Sequence, residues 1–111
     1  MKKLVFVLLA ALSTVGFAKN SEKPQVEVIL EATSAEEGVK FRVFSGGCTF
    51  KDDFELVVDD SVRPVRIQLQ RLRQDLCLAY LPNGVSIEYS WDELGLDQQR
   101  LWIMNPLQVG Q

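Results

Sequence analysis

Apolar and polar residues alternate along most of the chain beyond residue 25. Val26, Val28 and Leu30 share one parity, with Glu27 and Glu31 on the other. Val39, Phe41 and Val43 alternate with Lys40 and Arg42, and Val65, Ile67 and Leu69 with Arg66, Gln68 and Gln70. Phe50, Phe54, Leu56 and Val58 alternate with Lys51, Asp53 and Glu55, with Asp52 interrupting the apolar face near its start. Val85, Ile87, Tyr89 and Trp91 alternate with Ser86, Glu88 and Ser90. A period of two repeated over so many short runs predicts half-buried antiparallel strands.

Turn chemistry separates these runs. Ala35-Glu36-Glu37-Gly38, Ser45-Gly46-Gly47, Asp59-Asp60-Ser61 and Pro82-Asn83-Gly84 are turn sequences, the last a hairpin signal. Pro64 stands where a strand begins, a position at which its missing N–H matters least. The alternation slips at Gln70-Arg71, because Leu72 is the next apolar residue after Leu69, and a β-bulge is expected there. Ser90 and Glu93 form a capping box for a short helix that Gly95 ends. Over residues 100–105, Leu101 and Ile103 alternate with Arg100, Trp102 and Met104, favouring a closing strand over a helix, before Asn105-Pro106 stops the segment. Six or seven short strands point to an all-β fold: a small antiparallel β-sandwich, immunoglobulin-like with Greek-key connections, or a small barrel.

The first residues follow a different rule. Lys2 and Lys3 precede an unbroken apolar run from Leu4 to Leu12, and Gly16-Phe17-Ala18 places small residues for a cut after Ala18. Residues 1–18 therefore read as a cleaved secretory signal peptide, since the apolar stretch is shorter than the roughly 17–25 residues of a membrane span. Residues 19–24 read as a loose tail and 25–111 as a single domain. The short basic start suggests a bacterial chain exported to the periplasm or released outside the cell.

Composition then narrows the chemistry. The chain of 111 residues has no His, which removes Ser-His-Asp and Cys-His catalysis and every His-containing zinc site. Without Lys2 and Lys3, ten basic residues face 15 acidic ones, and such a domain repels nucleic acid and anionic membrane surfaces. Cys48 and Cys77 are the only thiols; in an oxidising compartment they are expected to pair as a structural disulfide. They lack the C-x-x-C spacing of a redox dithiol.

No catalytic residues, metal ligands or cofactor loop emerge. Asp52-Asp53 and Asp59-Asp60 read as solvated carboxylates, because neighbours in a strand face opposite ways and no calcium-loop spacing is present. Gly46 and Gly47 permit a turn whose N–H groups face an anion or a partner strand, or one that simply brings Cys48 to Cys77. Arg71 and Arg73 share a parity and suit an acidic partner, or else pair across strands with Asp53 or Glu55. Trp91 continues a core face. Trp102 and Met104 lie opposite Leu101 and Ile103 and form a candidate contact patch. The expected function is a non-enzymatic protein-binding module, inhibitor-like or accessory, acting as a monomer or weak homo-oligomer on an envelope or secreted protein. The alternatives are an envelope-assembly subunit joined by strand addition and a His-independent enzyme.

Overall fold

The computed structural model describes residues 23–108. The expected signal peptide, residues 1–18, and residues 19–22 of the expected tail lie outside these. Seven strands form: β1 (Gln25–Val26), β2 (Ile29–Ser34), β3 (Gly38–Val43), β4 (Phe54–Asp59), β5 (Val65–Arg71), β6 (Val85–Ser90) and β7 (Leu101–Ile103). A 3₁₀ turn over Lys51–Asp53 precedes β4, and a one-turn helix, α1 (Trp91–Leu94), follows β6.

The strands make two sheets. In one, β3 lies between β2 and β6; in the other, β5 is flanked by β4 on one edge and by β1 and β7 on the other. All pairings between these strands are antiparallel except β5 with β7, which is parallel. The inward parity of each strand supplies one shared core. Val39, Phe41 and Val43 of β3 and Ile87 of β6 meet Val65, Ile67 and Leu69 of β5, with Ile29, Phe54 and Trp91 closing the cluster. Each large side chain so buried contributes roughly 1.5–3 kcal/mol. Trp91 fits because its indole N–H donates to the Ala35 carbonyl, leaving no buried donor unmet.

Local signals in β6 and α1 act as read. Ser90 Oγ accepts from the Glu93 N–H while the Glu93 carboxylate accepts from the Ser90 N–H, and Gly95 takes the left-handed conformation at φ 72°. The closing segment is a strand, β7.

Four expectations are corrected. The first apolar run is not one strand: it breaks between β1 and β2 as the chain moves from one sheet to the other, and Glu27 turns inward while Val26 and Val28 are exposed. The bulge expected at Gln70-Arg71 is absent, since β5 keeps regular register with β4 through Arg71; a register shift occurs instead between Ile29 and Glu31. The Asp52 interruption becomes the 3₁₀ turn, leaving Phe50 exposed. Pro82-Asn83-Gly84 does turn, with the Gly84 N–H on the Leu81 carbonyl, but no strand precedes it to make a hairpin.

Residues 101–108 touch both sheets. β7 pairs with the first half of β5, and Asn105 then fills the place between β7 and β1 along that edge. Its Oδ1 accepts from the Leu69 N–H, and its Nδ2 donates to the carbonyls of Leu69 and Glu27, each at 2.8 Å. Beyond it the chain crosses to β2, where the Ile29 N–H meets the Pro106 carbonyl and the Gln108 N–H meets the Ile29 carbonyl.

Candidate functional site

The site is built on the turn at residues 45–49. Gly46 approaches the opposing chain so closely that a Cβ there would stand 2.3 Å from the Cys77 carbonyl oxygen, and Gly47 takes φ +110°. Only glycine satisfies both demands. The turn gathers donors onto one carboxylate: Asp75 Oδ2 accepts from the Gly46 N–H (2.8 Å), the Cys48 N–H (2.9 Å), Thr49 Oγ1 (2.5 Å) and Ser45 Oγ (3.2 Å). Its other oxygen accepts from the Cys77 N–H. The Thr49 hydroxyl, followed by the three backbone N–H groups, holds the Asp75 carboxyl well below the usual range. The anion that this glycine turn receives is thus one of the chain's own side chains. The Cys48–Cys77 disulfide closes beside it, with 5.8 Å between Cα atoms.

Together these fastenings hold an arm. Residues 74–81 carry no regular secondary structure, and the Ala79 N–H bonds the Gly46 carbonyl. Cys77 and Ala79 turn their Cβ atoms toward Gly47. Leu76, Leu78 and Tyr80 take the opposite parity and face solvent, 80%, 97% and 86% exposed. Large apolar residues in a row at such exposure are unusual on a soluble surface. Beside the arm runs an open groove of about 1120 Å³, walled by Leu78, Tyr80, Phe44, Val26, Val28 and Leu30 among others.

The residues singled out from sequence separate into two groups. Arg71 is spent internally: its guanidinium grips both carboxylate oxygens of Glu27 (2.8 and 3.0 Å), bonds the Phe44 carbonyl and Thr49 Oγ1, and lies over the Phe54 ring. Both partners of that pair are largely buried. Arg73 is more exposed but is tied to Asp53 at 2.8 Å. Gly46 and Gly47 shape the turn. Trp102 and Met104 lie on the surface, Trp102 with the Arg66 guanidinium 5.2 Å from its ring centre, and they share no surface with the arm's residues in the groove. Cys48, Asp75 and Cys77 bring candidate ligand atoms within 4.8 Å of one another, but the sulfurs are bonded together and the carboxylate is saturated by donors.

The arm itself was not singled out from the sequence. Its signal was available, since Leu76, Leu78 and Tyr80 alternate with Cys77 and Ala79, a period of two without a polar face. The chain matches no protein-family model, no curated protein and no solved structure.

Proposed function

We propose that the chain is an exported, non-enzymatic protein-binding module whose contact surface is the arm Leu76–Leu81. The observation that carries this reading is the exposure of Leu76, Leu78 and Tyr80 on a segment fastened from behind by the disulfide and by Asp75. A flexible loop would lose conformational freedom on binding, at roughly 1–2 kcal/mol per residue; an arm held in advance loses less. The two sheets around one core serve as a small sandwich-like scaffold, with crossings between sheets in the Greek-key manner. Five of the carboxylates, Glu27, Glu31, Asp53, Asp75 and Glu93, are engaged with an Arg, a Lys or a turn and so are not free for acid–base work. A disulfide suits the oxidising periplasm, and no helix among the described residues is long and apolar enough to cross a membrane.

Affinity capture from envelope and secreted extracts tests the reading. The disulfide-bonded chain serves as bait beside its Leu78→Asp and Trp102→Ala variants, read by mass spectrometry. Leu78 packs on almost nothing, so its replacement leaves the fold intact, which circular dichroism checks. A prey lost with Leu78→Asp and kept by Trp102→Ala is the expected result. A prey lost only with Trp102→Ala moves the contact surface to Trp102 and Met104, and absence of any prey overturns the reading unless the partner is the chain itself.

A further inference from the structure

We infer that the partner taken by the arm is a second copy of this chain, the two arms pairing antiparallel about a two-fold axis through Leu78. This rests on the reading of the arm as a contact surface and names its occupant. Three observations bear on it.

The first is the backbone. In an extended segment the N–H and C=O groups of alternate residues point to opposite edges. The Ala79 N–H and the Cys77 carbonyl face Gly46. The groups of Leu78 and its second neighbours therefore face the other edge, and among the described residues the N–H groups of Leu76, Leu78 and Tyr80 make no backbone hydrogen bond. An open edge of this kind is completed by another strand.

The second is self-complementarity. The arm is at once a ridge and one wall of the adjoining groove, which continues over Val26, Val28, Leu30 and Phe44. A two-fold contact uses one patch on both copies, so ridge and groove must belong to the same patch, as they do here. With Leu78 opposite Leu78, the register sets Leu76 of each copy against Tyr80 of the other.

The third is area and charge. Leu76, Leu78 and Tyr80 are almost wholly exposed and Phe44, Val26 and Val28 about half so, which together offers apolar area on the order of the roughly 800 Å² that one partner contributes to a standard interface. The arm carries no charge from Leu76 to Leu81, so the two arms meet without like charges between them, and the charged groove residues Glu27 and Arg42 are each neutralised within their own copy by Arg71 and Glu31.

Sedimentation velocity of the exported, oxidised chain across 1–500 μM tests the inference, with Leu78→Asp and Trp102→Ala beside it. The expected result is a dimer that Leu78→Asp weakens about a thousandfold, since the substitution enters the interface twice, and that Trp102→Ala leaves unchanged. A photoreactive residue at Tyr80 is expected to crosslink to the other copy around Leu76. A monomer throughout the range, a dimer indifferent to Leu78→Asp, or a crosslink away from the arm overturns the self-pairing. If the monomeric chain still captures another protein through Leu78, the arm remains a contact surface and only its occupant is wrong; if it captures none, both readings fail.

Discussion

Asn105 offers the sharpest test of how the last segment is fastened to the β5 edge. The side chain is buried and satisfies three backbone positions at once: the Leu69 N–H, the Leu69 carbonyl and the Glu27 carbonyl. Asn105→Leu keeps the volume and removes every polar contact. The Leu69 carbonyl retains the Glu27 N–H as a donor, so it is not orphaned. The Leu69 N–H and the Glu27 carbonyl lose their partners, and a buried group left unmet costs about 1–3 kcal/mol. The expected destabilisation is about 3 kcal/mol. For a domain of this size each kcal/mol moves the melting temperature by roughly 4–8 °C, so calorimetry should record a fall of about 15 °C. Asn105→Asp should also be unstable near neutral pH, where a carboxylate would face two carbonyl oxygens, and should recover as acid protonates it. A fall below about 3 °C for Asn105→Leu would mean that water replaces the amide and that the junction bears little of the stability.

Three further outcomes follow from the geometry. Tyr89→Phe should be neutral or stabilising by about 1 kcal/mol in urea unfolding, because the Tyr89 hydroxyl is buried with no partner; burial, then the Glu93 charge, also pushes its pKa up to about 12, so spectrophotometric titration should find it protonated until strongly alkaline pH. Asp75 contributes stability that is complete above its ordinary carboxyl range and fades as pH falls through that range toward its depressed value; the urea midpoints of the native chain and Asp75→Ala should therefore lie furthest apart at pH 7 and draw steadily together as acid is added below the ordinary carboxyl range, and an unchanging gap would refute the carboxylate's role. Gly46→Ala drives a Cβ into the Cys77 carbonyl oxygen, so thiol titration should find two free cysteines in a large fraction of the purified variant, against almost none in the native protein.

The elements that could be read in advance are those in which one force dominates. In β3, β5 and β6 the parity of Val39, Phe41, Ile67, Leu69 and Ile87 decides which face is buried, and nothing local opposes it. The capping box at Ser90 and Glu93 is similarly self-contained. Residues 26–28 follow the opposite rule because their parity is set from 44 positions away: the Arg71 guanidinium draws Glu27 inward, and Val26 and Val28 must turn out. The same distant pairing explains why Arg71 looked available to a partner. The arm gives no amphipathic strand signal because Leu76 to Leu81 has no polar residues alternating with the apolar ones, and only the topology shows that no sheet covers its large side chains.

The passage of residues 101–108 from one sheet to the other has a consequence in time. A chain that emerges from Met1 onward presents six strands before Leu101 appears. Until then the β5 edge beyond β1 is open, and the Leu69 N–H has no acceptor. The bond from Asn105 to Glu27 spans 78 positions, a loop that closes only after nearly everything else has been made. Joining segments so far apart, the Asn105 fastener forms late in folding, and the β5 edge that it closes stays open until it does.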